Sequence, residues 1–356
     1  MAQSRYSRQE VIPQIGKLGQ QKLKQSTVAI VGVGALGTGV SELLARAGIG
    51  KLILIDHDVV DLSNLQRQQL FFEKNIGKPK ASSAKKQLEK INSEIEIIAY
   101  DKHLNYETID LIKADFVVDC TDNLDTRFLI NEYCTREQIF WVHGAVLKEK
   151  GVLYVVSPMG PCFNCIFPNV SQGGSCEEFG ILGATTTIIS SLQANEIIKL
   201  IVGIEPESAL LRLDVLKNQI DKIKVKKNSN CAVCKGSYVR LEGLETEIEG
   251  IDSNDSAKNS CNNNSCINNE LAKKDEFTIQ KCKTKAGWSA KPTKQLKLNL
   301  NNIKKKFKLI MDTPILIVIE KKGEIIVHNY GELLFKDLKD EQEIKKIAKE
   351  IYLVGK

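Results

Sequence analysis

The sequence predicts an α/β protein: a doubly wound, mostly parallel Rossmann-like sheet with a four-cysteine zinc site, plus a small C-terminal α/β module. Three observations predict it. Strand-length apolar runs alternate with stretches that carry apolar residues at helical spacing. A glycine-rich turn, Gly32-Val-Gly34-Ala-Leu-Gly37, falls between the first run and the first helix. Polar residues gather where strands end, and two Cys-x-x-Cys pairs follow.

In chain order, residues 28–33 read as a continuous apolar strand and 38–47 as a helix. A second strand over 51–55 ends at Asp56. The cycle repeats with a helix over 80–91, a strand over 94–100 and an apolar strand over 116–119. After residue 150 come a strand over 152–156, a Pro-, Gly- and Cys-containing loop over 157–178, and a helix over 185–202. Residues 252–269 hold seven asparagines among serines and aspartates, with little to bury. The expected organisation is therefore a main domain over 1–250, an Asn-rich linker over 251–270 and a module over 271–356. In that module 277–282, 315–319 and 324–328 read as strands and 341–352 as an amphipathic helix.

The 356-residue chain carries a formal net charge of +6, and much of its lysine excess lies in the last hundred or so residues. A solvated lysine-rich face, rather than a nucleic-acid site, is the expected reading. No apolar run reaches the length of a membrane span, and the first residues lack a secretion signal, so a cytoplasmic protein is expected. There, ten cysteines point to metal ligation or thiol chemistry instead of disulfides.

The glycines of the turn permit close approach of backbone N–H groups to a phosphate at a helix N-terminus, and Asp56 stands where a ribose hydroxyl is held. Taken alone, this fingerprint favours NAD and a dehydrogenase. The thirteen residues that begin Asp56-His-Asp58 and run through Asp61, Ser63, Asn64, Leu65, Gln66 and Arg67 to Gln68 argue otherwise. With Lys80 in Gly77-Lys-Pro-Lys80 and with Asp119-Cys-Thr-Asp122-Asn123, they supply cations for a triphosphate and carboxylates for Mg²⁺.

This ordered set, with Arg5-Tyr-Ser-Arg8-Gln9, resembles the MoeB/ThiF family over residues 4–240. The resemblance implies adenylation, with ATP, of a ubiquitin-like sulfur-carrier protein that ends in Gly-Gly, of the molybdopterin, thiamine or tRNA-thiolation type. It implies that Gly32, Gly34, Ala35 and Gly37 line the nucleotide and that Asp56 holds the ribose. Asp58, Ser63, Asn64, Leu65, Gln66, Arg67, Lys80 and Asn123 would complete the nucleotide site, and Asp122 would bind Mg²⁺. Arg8 would reach into the active site of a second subunit, which implies a homodimer. The alternatives are an enzyme that activates a modifier for conjugation, and a silent nucleotide-binding scaffold.

Cys162-Phe-Asn-Cys165 and Cys231-Ala-Val-Cys234 have the spacing of two zinc knuckles, separated by 65 residues, with a redox pair as the competing reading. The resemblance supports a structural Zn²⁺. Cys176 is a candidate for a covalent link to the carrier, although the neighbouring Glu177 and Glu178 would raise its pKa. His143 is read as a satisfied histidine near the sheet, with ligand contact the alternative. Cys282, the module's cysteine, sits in a strand without the compact anion-binding loop of the rhodanese domains that end some relatives. No rhodanese activity is expected.

Overall fold

The chain is seen in a computed structural model that describes residues 4–168, 180–243, 277–282, 287–292, 296–313, 316–336, 338 and 340–356. The linker expected over 251–270 and the loop cysteine Cys176 lie outside these residues.

β1 (Thr27–Val31) is flanked by β2 (Lys51–Ile55) and β4 (Phe116–Asp119), both parallel to it. Successive strand residues face opposite sides. Thus Val28 and Ile30 enter one core with α3 (Ala35–Ala47), α4 (Lys80–Ile91) and α7 (Gly183–Val202), whereas Ala29 and Val31 enter another with α5 (Leu124–Arg136). Burial on both faces explains why the strand reads as unbroken apolar sequence instead of alternation.

The sheet order is β3-β2-β1-β4-β5-β6-β7-β8, with β3 at Glu96–Tyr100 and β5 at Phe140–Leu147. The first five strands are parallel. β6 (Lys150–Val156), β7 (Ala209–Asp214) and β8 (Gln219–Lys224) continue the sheet antiparallel. Two short N-terminal helices, α1 (Ser7–Glu10) and α2 (Gly16–Gln25), precede β1, and α6 (Phe163–Ile166) follows β6.

The second sheet is antiparallel throughout, in the order β11-β12-β13-β14-β10-β9. Its strands are β9 (Phe277–Cys282), β10 (Gly287–Pro292), β11 (Lys308–Asp312), β12 (Leu316–Glu320), β13 (Glu324–His328) and β14 (Leu333–Phe335). α8 (Leu300–Lys306) and α9 (Glu341–Gly355) pack Ile303, Ile344, Ile347 and Ile351 onto it, forming a third core.

Five elements match their expected bounds to the residue: β2, α4, β4, β9 and β13. The strand β7, the edge strand β8 and the polar helix α2 were not expected, because exposed residues interrupt their apolar pattern. β5 escaped for another reason. Its histidine and glycine break an otherwise apolar run, yet His143 and Gly144 both belong to the sheet.

Candidate functional site

The expected nucleotide residues converge where β1, β2 and β4 end. Gly32 takes φ +84°, and a Cβ there would meet the carbonyl oxygen of Cys120 at 2.6 Å. Gly37 is a packing glycine, since its Cβ would fall 1.9 Å from the Gly32 oxygen. Gly34 faces open space bounded by the Gln68 amide, and it begins α3 with no side chain capping the first N–H groups. Exposed helix N–H groups beside a glycine turn are suited to an anion.

Asp56, buried at the end of β2, braces this turn. Its Oδ2 accepts from Val33 N at 2.6 Å and its Oδ1 from Asp58 N at 2.7 Å. Burial raises the Asp56 pKa, opposed by the charge of Lys80. Lys80, also buried, donates to Asp58 Oδ2 at 3.0 Å, while its backbone N–H donates to the Asp58 carbonyl. Burial works against the ammonium, but the Asp58 and Asp56 carboxylates and nearby Asp122 outweigh it and raise its pKa. Lys80 is thus a fixed positive charge already held by the chain.

The loop after β2 is built locally. Asp61 Oδ1 accepts from Ser63 N and Oγ at 2.8 and 2.7 Å, and Asn64 Oδ1 accepts from Asp61 N, closing a capping box. Arg67 donates from Nη1 to the Ser63 carbonyl at 2.8 Å, leaving the rest of its guanidinium available. Leu65 is half-buried and Gln66 exposed in the same turn.

After β4, the exposed Asp122 sits beside Asn123, whose side chain accepts from Thr126 N at 2.9 Å and so caps α5. Beneath it is a network the sequence did not announce. The buried Asp119 carboxylate accepts from His143 Nδ1 at 2.7 Å and from Thr121 Oγ1 at 2.6 Å, with Arg127 Nε at 3.4 Å. Burial opposes its charge, yet these partners hold its pKa below the usual carboxylate value. Gln193 reaches from α7 to donate to the Asp119 carbonyl at 2.8 Å. His143 is therefore a satisfied buried histidine.

The four knuckle cysteines meet. Sγ–Sγ distances are 3.8 Å for Cys162–Cys165, 3.5 Å for Cys162–Cys231 and 3.6 Å for Cys165–Cys234. Tetrahedral zinc with bonds of about 2.3 Å requires edges of about 3.8 Å, so both the donor set and the spacing fit. Asn131 of α5 accepts from Phe163 N and donates to Asn164, tying the knuckle to the fold.

Arg8 stands apart. Gln9, next to it on α1, donates to the Ala47 carbonyl at 3.0 Å, which places α1 by the far end of the 13-residue α3. The phosphate turn lies about 20 Å away along that helix. Sequence reasoning named Gln68 in the polar cluster without a role, and among the described residues its buried Oε1 has no partner; it missed the cluster of His57, His103, His328 and Tyr330. Their signal lies in tertiary proximity, which residue spacing does not encode.

A model of the ThiF family matches residues 6–233. The chain is 36% identical over 256 residues to the sulfur carrier protein adenylyltransferase of Thermus thermophilus, covering 68% of this chain and 94% of that protein. It is 39% identical over 239 residues to the adenylyltransferase and sulfurtransferase MOCS3 of Xenopus laevis, covering 65% of this chain. Of that relative it spans only about half, 53%. The crystal structure of E. coli MccB with ATP superposes with a TM-score of 0.59 at 26% identity, covering 66% of this chain and 74% of that one.

Proposed function

Because the chain belongs to the ThiF family, we propose that it is an ATP-dependent adenylyltransferase acting on the C-terminal glycine carboxylate of a ubiquitin-like sulfur-carrier protein. One observation carries the reading: the glycine turn, Asp56, the Asp58–Lys80 pair and Asp122 meet beyond the C-terminal ends of β1, β2 and β4. The names of the two relatives support it, since both are adenylyltransferases and one acts on a sulfur carrier.

The N–H groups of the α3 N-terminus and the Gly34 turn donate to phosphate oxygens, and Asp56 accepts from a ribose hydroxyl. The carrier carboxylate, ionised at neutral pH, attacks the α-phosphorus, so no general base is needed. An acyl adenylate forms and pyrophosphate leaves. Lys80, Arg67 and Asn64 hold the phosphates and stabilise the charge that develops on them. Mg²⁺, held by Asp122 together with the nucleotide's own phosphates, would neutralise the departing pyrophosphate. A structural Zn²⁺ on Cys162, Cys165, Cys231 and Cys234 would fix the knuckle, four thiolates leaving no open position for catalysis. Arg8 serves the site of a second copy, and Cys176 is the candidate for a covalent link to the carrier.

The test is exchange of labelled pyrophosphate into ATP with Mg²⁺ and a panel of Gly-Gly-ending carriers, with Asp122→Ala as control. Exchange that depends on one carrier and disappears in the variant is expected. ATP binding with no exchange from any carrier would turn the assignment to a silent scaffold, and binding of NAD in place of ATP would end it.

A further inference from the structure

Three of the chain's four histidines meet at one point, together with a tyrosine of the C-terminal module. His57 follows the end of β2 and His103 follows the end of β3, with ring centroids 4.8 Å apart. Tyr330, in the turn between β13 and β14, stands edge-on to His57 at 5.5 Å and tilted to His103 at 5.2 Å. His328 completes the group, 4.9 Å from Tyr330 and 6.0 Å from His57. The phenol is fixed as well: Tyr330 Oη donates to Glu332 Oε2 at 2.9 Å, and Glu332 Oε1 accepts from Ser289 Oγ at 3.1 Å.

The position matters more than the rings themselves. His57 lies between Asp56, which braces the phosphate turn, and Asp58, which holds Lys80. A second contact reaches the same stretch, since Met311 of β11 lies 3.8 Å from where a Cβ on Gly77 would be, three residues before Lys80. The module therefore meets the stretch between β2 and Lys80 at two points, His57 and Gly77. Among the described residues, His57 shares a three-ligand group with its own neighbours Asp56 and Asp58, whereas His103 and His328 belong to no such group, so the four rings meet by packing.

We propose that the C-terminal module is a clamp on the nucleotide site, in which Tyr330, packed on His57 and His103, positions Asp56, Asp58 and, through Asp58, Lys80 for a nucleoside triphosphate. The inference deepens the adenylation reading and rests on it. Tyr330 is a positioning residue. The coupling is reciprocal, so a bound nucleotide tightens the module's seat as much as the seat tightens the nucleotide.

In the full-length protein, Tyr330→Ala removes the ring that bridges the two histidines. The expected result is a KM for ATP raised roughly tenfold, the scale of one or two lost aromatic pairs, with kcat nearly unchanged. Tyr330→Phe, which keeps the ring, restores the wild-type KM. His103→Ala approaches the junction from the other side and raises KM in the same way. A purely structural role would lower the fraction of active protein without moving KM. Amide hydrogen exchange over residues 57–61 should quicken in Tyr330→Ala whether or not nucleotide is present. If folded Tyr330→Ala and His103→Ala both bind ATP as the wild type does, the clamp is overturned, as it is by unchanged exchange over 57–61. Wild-type protein that fails to bind ATP sinks the adenylation reading instead, and the exchange measurement still judges the junction.

Discussion

Lys80 is held in place before any ligand arrives, because a buried ammonium needs compensating charge and Asp58 and Asp56 supply it. Lys80→Ala would remove the ammonium that both carboxylates face. Carrier-dependent pyrophosphate exchange should then fall at least about a hundredfold, and stability by a few kcal/mol. Exchange at the wild-type rate, measured alongside urea denaturation, would remove Lys80 from the mechanism. His143 makes a subtler prediction. His143→Ala frees one side of Asp119 but leaves Arg127 and Thr121 in place, so the cost should be about 1–3 kcal/mol. A larger loss would mean that the histidine alone holds the loop that carries Asp122. Asp56 and Asp58 could be read from sequence because their position after a strand is itself the signal, and Lys80 because it opens a helix. His143 was readable as a satisfied histidine, but its joining with Asp119, Arg127 and Gln193 in one network was not, since the four lie on four different elements and each type is common in any fold.

Among elements, the four-cysteine cluster joins α6 after β6 to a 3-10 turn at Val233–Lys235, two segments far apart in sequence that lie over the α5 face. Four cysteines with that spacing were readable because metal geometry constrains sequence spacing directly. Cys231→Ser should abolish the bound zinc seen by elemental analysis and cost several kcal/mol, since the metal's binding energy is also folding energy. Metal retained at one per chain would show that the four thiols are not its ligands. The junction between the two sheets is the opposite case, formed by rings from three loops with no pattern to announce it. Burial, aided by His57 and Lys291 and opposed by Glu332, lowers the His103 pKa to about 4. The unfolded chain, with an ordinary imidazole, takes up its proton first as pH falls. Stability from this group is therefore complete above about pH 6.5 and lost as pH drops towards 4, a span worth roughly 3 kcal/mol. Urea midpoints at pH 7 and pH 5 should differ more in the wild type than in His103→Phe, and equal differences would exclude this origin.

At the scale of the whole molecule, the decisive fact is that one chain holds Arg8 and the phosphate turn far apart. Arg8 lies on α1 beside the C-terminal end of α3, and the phosphate turn lies at its N-terminal end. An arginine side chain cannot cover a separation of about 20 Å within one chain. Around Arg8, Val11, Ile12 and Leu18 are exposed apolar residues, a surface a second copy would cover. If Arg8 acts across a two-fold axis, each site of the dimer takes Arg8 from one chain and Asp122 from the other. Arg8→Ala and Asp122→Ala homodimers should then both be inactive. Coexpressed, they form mixed dimers in which one site has lost both residues and the other has lost neither, as two-fold symmetry requires. With random pairing, about a quarter of wild-type activity should return. If Arg8 served its own chain, every site in the mixture would lack one residue and nothing would return. Recovery near a quarter would therefore establish both the dimer and the shared site, and its absence, with both variants folded and coexpressed, would refute the shared site.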